Sequence, residues 1–155
     1  MPLTTAQLAT WASLASLVER LPRALDAQLQ ESRGLTHFEF GLLYALDAAP
    51  ERTLRLSTLA GYASSTLSRL SRAFTRLERR GLVRRETDTA DGRFTLGILT
   101  AAGHNLVESA LPDHHDLVRE LVFDTLSDEE AAQLGEMSRR ISQRIDPAEV
   151  WAPAP

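Results

Sequence analysis

The chain contains no cysteine and no lysine. The first absence excludes disulfides, thiolate nucleophiles, thiol redox sensing and cysteine-ligated zinc. The second makes all 17 basic side chains arginine, which partly reflects the coding bias of the source and is not wholly a functional signature. No apolar run approaches the roughly 18 to 20 residues that cross a bilayer, and the N-terminus lacks the basic start and small-residue cleavage site of a signal peptide. The expectation is a cytoplasmic protein with no membrane partner. No glycine-rich phosphate loop is present, and Ser64-Ser65 has no histidine and acid beside it in a nucleophile motif, so neither an enzyme nor a cofactor is expected. Repeats and long low-complexity segments are also missing. What is there, 155 residues with 43% apolar and 25% charged side chains, fits one domain or one compact core with an extension.

Charge is segregated along this chain. The total is −4, yet residues 55–93 hold nine arginines against four acids, a net of +5, which leaves −9 for the remainder. A basic block in an acidic protein is the footprint of one surface that meets a polyanion while the rest stays soluble.

Periodicity predicts a mainly α protein. Leu8, Trp11, Leu14, Val18, Leu21, Leu25 and Leu29 recur every three or four positions over residues 4–31, with a kink or break expected at Pro22 and a stop at Gly34. Thr36 and Glu39 have capping-box spacing for a second helix that ends at Pro50. A short strand is expected at Thr53–Leu56, then a short helix capped by Ser57, a turn at Ser64-Ser65 and a long helix reaching Arg80, stopped by Gly81. Leu82–Glu86 and Arg93–Leu99 read as a hairpin. Thr100 caps a helix expected to bend near Pro112, and Ser127 with Glu130 caps the last one, which carries Leu134, Met137, Ile141 and Ile145.

Placing residues 64–80 on a helix, at about 100° per residue, gathers Leu67, Leu70, Phe74 and Leu77 on one side and Ser65, Ser68, Arg69, Arg72, Arg76 and Arg79 on the other. A solvated amphipathic helix would show the same face. The context decides: short helix, serine-rich turn, basic helix, glycine stop and a two-stranded wing with arginine at its tip make a winged helix-turn-helix. Arginine can donate two hydrogen bonds to guanine in the major groove, and serine can meet a base edge or a phosphate. Ser65, Ser68, Arg69 and Arg72 are therefore assigned to base edges, Arg76 and Arg79 to phosphates or structure, and Arg80 to the surface. Ser64, Ser65 and Thr66 place the positive end of the helix toward a phosphate. Arg84 and Arg93, on the wing, complete the DNA-binding set.

Taken together, Leu56-Ser57-x-Leu59-Ala60, Ser64-Ser65-Thr66-Leu67-Ser68-Arg69-Leu70-Ser71-Arg72, Arg76-Leu77-Glu78-Arg79-Arg80-Gly81-Leu82-Val83-Arg84-Arg85, Asp91-Gly92-Arg93 and Leu99-Thr100-x-x-Gly103 resemble the multiple antibiotic resistance regulator (MarR) family. The resemblance runs from Gly34-Leu35-Thr36 through Val118-Arg119 and Leu126-Ser127. It implies that Arg93 reaches the minor groove and that Asp91 orients a nearby arginine. Relatives bind small aromatic or phenolic ligands in a cleft beside the DNA-binding lobe, which Trp11, His37, Phe38, Phe40 and Tyr44 could line here. Some relatives sense zinc, but the adjacent His114 and His115 diverge by about 100° on a helix, so no metal site is expected. The reading preferred for these two histidines is a polar helix start after Pro112.

Apolar stripes at both chain ends would leave a lone subunit with a large exposed patch, and pairing two copies buries it. The expected organisation is a helical dimerisation region, residues 1–34 and 104–148, a winged lobe, residues 35–103, and a tail, residues 149–155. The expected function is transcriptional regulation, as a repressor, by a homodimer that binds a palindromic operator in double-stranded DNA and is released by a small aromatic or phenolic effector. The alternative is a winged-helix interaction module that turns its basic face to an acidic protein partner.

Overall fold

The computed structural model describes residues 1–146. The described residues form six α-helices and a small antiparallel sheet: α1 Thr5–Arg33, α2 His37–Asp47, β1 Thr53–Arg55, α3 Leu56–Tyr62, α4 Leu67–Arg79, β2 Val83–Thr87, β3 Thr95–Leu99, α5 Ala101–Leu121 and α6 Asp128–Ile145. Single 3-10 turns at Pro50–Arg52 and Phe123–Thr125 join neighbouring elements. β3 lies in the middle of the sheet, pairing Gly97 with Leu54 of β1 on one edge and with Arg85 of β2 on the other. The result is the expected mainly α winged helix-turn-helix.

Local chemistry sets most of the boundaries. Thr36 accepts from the Glu39 N–H while the Glu39 carboxylate accepts from the Thr36 N–H, and Ser127 and Glu130 repeat the arrangement at α6. Thr100 caps α5 through the Gly103 N–H. Gly34 closes α1 at φ +64°, a left-handed conformation that costs glycine little.

Several boundaries differ from expectation. α4 begins at Leu67 and is capped by Thr66, later than residue 64, where the expected helical face starts, while Ser64 and Ser65 lie in the turn expected there, with Ser64 itself at φ +45°. Arg55, not Ser57, occupies the N-cap of α3. Both α1 and α5 run through their prolines without a break. The carbonyls deprived of a partner by Pro22 and Pro112 belong to Val18 and Glu108, both exposed, where water can replace the lost bond. The tail expected at 149–155 and the last residues of the 104–148 region lie outside the described residues.

The core is one cluster. α2 contributes Phe40, Leu42, Leu43 and Leu46, α4 Leu70, Phe74 and Leu77, and the sheet Val83 and Leu99. Leu29 from α1 and Val107 and Ala110 from α5 join it, so the lobe is packed continuously onto the near ends of both long helices. α6 contributes no buried residue, and no residue of α1 before Leu25 is buried. No helix among the described residues is long and apolar enough to cross a membrane.

Candidate nucleic-acid interface

α3, the turn through Thr66 and α4 form the helix-turn-helix. The Ser65 N–H donates to the Ala60 carbonyl at 2.9 Å, which closes the turn. The Thr66 hydroxyl accepts from the Arg69 N–H at 3.2 Å, which opens α4. The helix is seated by Leu70, Ala73, Phe74 and Leu77. Leu67, expected among them, sits at the edge of that sector and is 56% exposed. The sheet approaches closely at Gly97, where a Cβ would stand 2.7 Å from the Phe74 ring and 2.8 Å from Leu56. A side chain there would push α4 and the wing apart.

Packing that face inward turns the other outward. Ser68, Arg69, Arg72, Arg76 and Arg79 are all exposed on α4, with Ser64 and Thr66 exposed and Ser65 partly so just ahead of it. The arginines differ in what holds them. Arg69 lies over the Phe38 ring, 4.3 Å from its centroid, and Arg76 donates from Nε to Glu39 Oε1 at 2.7 Å. Arg72 makes no ion pair or hydrogen bond with its side chain among the described residues. Arg80, expected to be mere surface, instead donates to the Gly34 and Arg33 carbonyls at 2.9 Å each and so bridges α4 to the end of α1.

On the wing, Asp91 grips Arg93 through two bonds, Nε to Oδ1 at 2.9 Å and a terminal nitrogen to Oδ2 at 2.7 Å. That fork holds a guanidinium which is otherwise 84% exposed. The Arg93 side chain lowers the Asp91 pKa, so the carboxylate stays charged. The tip loop of the wing is anchored where it leaves the strands by a pair that periodicity does not reveal: Arg55 donates to Asp88 and lies over the Phe94 ring, 4.2 Å from its centroid. The Ala90 N–H and Arg55 keep the Asp88 carboxyl below its ordinary value. Arg84 is exposed on β2 and pairs with Glu86.

A cleft of about 1060 Å³ lies behind α4. Its walls bring together His37, Phe38, Phe40 and Tyr44 of the expected aromatic set, together with the exposed Arg69, Arg72 and Arg76 of α4. Trp11 is not brought to it: it lies on the outer half of α1, 59% exposed. The cleft also contains His114, which is not at a helix start but in the middle of α5, facing inward. Its ring is 4.9 Å from Phe40 and 6.0 Å from His37. The spacing Val107, Ala110, His114 carries the signal, since the first two are buried on the same face. Burial, then the neighbouring His37 and His115, push the His114 pKa down, and burial lowers that of His37 against the opposing pull of Asp26. The Nδ1 atoms of both rings are buried without a hydrogen-bond partner. His104 is elsewhere, paired with Asp47 at 2.7 Å. Among the described residues no three His, Asp or Glu side chains converge as a metal site.

A sequence profile described as MarR family matches residues 33–93. The structure is similar to that of Sco3205, a MarR family transcriptional regulator from Streptomyces coelicolor solved in complex with DNA: 40% identity, TM-score 0.92, covering 99% of this chain and 96% of that one. It is also similar to MepR from S. aureus, likewise solved as a DNA complex, at 25% identity and TM-score 0.71 over 92% of this chain and 99% of that one. The transcriptional repressor MprA of Escherichia coli K12 is 27% identical over 140 residues, 86% of this chain and 79% of its own length.

Proposed function

Because this chain belongs to the MarR family of transcriptional regulators, which are not enzymes, we propose that it acts in the cytoplasm as a homodimeric repressor that reads a palindromic operator in double-stranded DNA. The observation that carries this reading is the outward face of α4, where Ser68, Arg69 and Arg72 lie opposite the buried Leu70, Phe74 and Leu77. A helix of this kind fits the major groove, and its N-terminal turn enters deepest. Ser65, Ser68, Arg69 and Arg72 contact base edges. Ser64, Thr66 and Arg84 meet phosphates, and Arg93, held by Asp91, enters the minor groove. The name of the repressor MprA supports the repressor role.

The dimer reading is supported by α6, which buries nothing within one chain while exposing Met137, Ile141 and Ile145. Two copies joined there and through α1 place their α4 helices about one DNA turn apart, roughly 34 Å. Release by a small aromatic or phenolic effector is supported by the cleft, whose walls combine His37, Phe38 and Tyr44 with the arginines of α4. Such a ligand shifts DNA affinity only by its differential affinity for the two spacings of α4.

A mobility-shift assay of the full chain with random-sequence duplex at low salt tests the reading. Retardation that weakens steeply with salt is the expected result. A folded dimer that retards no duplex would point instead to an interaction module that meets an acidic protein with the same face.

A further inference from the structure

Glu39 is an acid where apolar side chains are the rule. Only 5% of it is exposed, on a helix otherwise buried through Phe40, Leu42, Leu43 and Leu46. A carboxylate in such a place is costly unless both oxygens are satisfied. Oε2 is used locally, accepting from the Thr36 N–H at 3.0 Å and its hydroxyl at 3.1 Å. Oε1 points the other way, to Arg76 Nε on α4 at 2.7 Å. Burial acts to raise the Glu39 pKa, but the Thr36 N–H and Arg76 together outweigh it and hold the group ionised. Glutamine closes a capping box as well as glutamate does, so capping leaves the charge unexplained. The partner that needs the charge is Arg76.

The next turn of α4 is tied to the same joint. Arg80 reaches the Arg33 and Gly34 carbonyls, and Arg33 in turn donates to the Ser109 carbonyl of α5 at 2.7 Å. The C-terminal end of α4 is therefore fastened at two points, through Arg76 to the first turn of α2 and through its C-cap Arg80 to the end of α1, while its N-terminal half presents Arg69 and Arg72. We propose that Glu39 is a positioning residue for DNA binding: through Arg76 it fixes the angle at which α4 presents its reading side chains, with Arg80 as the second fastening. Arg76 then serves geometry and not phosphate binding. The inference rests on the DNA-binding reading above.

The sign of one substitution separates this from a purely electrostatic role. Glu39→Gln keeps the cap and removes a negative charge near the DNA face, so electrostatics alone predicts tighter binding. Positioning predicts weaker binding, by about tenfold, the order of effect of a side chain that acts on a site without touching its ligand. The test measures affinity of the full chain for a duplex it selects, over a range of salt, with the melting temperature followed in parallel. Expected for Glu39→Gln are the loss in affinity, an unchanged log–log salt slope, and no further loss when Arg76→Gln is added. Arg80→Ala, which removes an exposed side chain and leaves no buried group unpaired, should also weaken binding at unchanged slope, and it serves should Glu39→Gln not fold. Binding by Glu39→Gln equal to or tighter than wild type overturns the proposal. So does a salt slope reduced by about one in Arg76→Gln or Arg80→Ala, which marks an arginine that neutralises a phosphate. Failure of the wild-type protein to bind any duplex overturns the DNA-binding reading itself and is seen before any variant is compared.

Discussion

Leu70, Phe74 and Leu77 of α4 are fully buried, whereas Met137, Ile141 and Ile145, at similar helical spacing in α6, are 51%, 47% and 80% exposed. Both helices carry an apolar stripe, and only one stripe is covered by its own chain. In the lobe every element closes on the others, so α4 is held from behind by α2, α3 and the sheet and its arginines are forced outward. At the chain ends α6 buries none of its residues against the described chain, and the outer half of α1 shows Leu8, Trp11, Leu17 and Val18. The lobe covers its own apolar faces and fixes which side of α4 is outward, and the ends leave theirs uncovered. A second copy is the occupant we propose.

The contrast breaks most severely if the ends are removed. Deleting residues 127–155 should leave monomer or aggregate by sedimentation. It should also lower operator affinity by about 100-fold or more, because each half-site is then bound without the effective concentration supplied by its partner. A full-length protein that sediments as a monomer at micromolar concentration would refute the pairing.

Next in size are core substitutions that sharpen the same contrast. Phe74→Ala should cost about 3 to 5 kcal/mol whatever the protein concentration, since it empties a site inside one chain. The pair Met137→Ala and Ile141→Ala should lower the melting temperature by an amount that changes with concentration, the mark of an interface. Equal concentration dependence for both would erase the distinction between the regions.

Within the lobe, reading separates from holding. Arg72→Ala should lose about 1 to 3 kcal/mol per half-site and relax preference at one base position. Arg93→Ala should weaken all sequences nearly equally and flatten the salt dependence by about one unit of slope for each phosphate it no longer neutralises. Site selection checks both. If Arg93→Ala alters the preferred sequence more than Arg72→Ala does, the helix is not in the major groove.

The smallest effect expected is on pH. His37 and His114 are held below the ordinary value of 6.5, chiefly by burial, so the unfolded chain takes up protons before the folded one. Their contribution to stability is complete above pH 6.5 and falls as pH drops below it toward the lowered values. The melting temperature should therefore decline between pH 7 and pH 5.5, less steeply in His114→Phe. Identical slopes for the two proteins would show that the ring stays protonated or solvated in the cleft.

What can be read from sequence is what is local. Capping boxes at Thr36 and Ser127, the cap at Thr100, the glycine stops and the hairpin each depend on residues a few positions apart, and all stand where expected. The outward arginines of α4 follow from one helical period. The prolines at 22 and 112 do not break their helices, because a proline's cost depends on whether the orphaned carbonyl can meet water, and Val18 and Glu108 are exposed. The partners of those arginines are invisible for another reason. Glu39 lies 37 residues from Arg76 and Gly34 lies 46 from Arg80, and only the tertiary fold joins them. Glu39 reads locally as a cap, and that explanation conceals its second oxygen. Trp11 fails as a cleft residue because helical spacing gives a face and not what the face meets.

In the proposed complex one winged lobe from each of two chains reads DNA. Selection of bound sites from random duplex by the full-length protein tests this most directly. We predict enrichment of an inverted repeat with half-site centres about 10 base pairs apart. Enrichment of a single asymmetric half-site, or of no sequence at all, would contradict it.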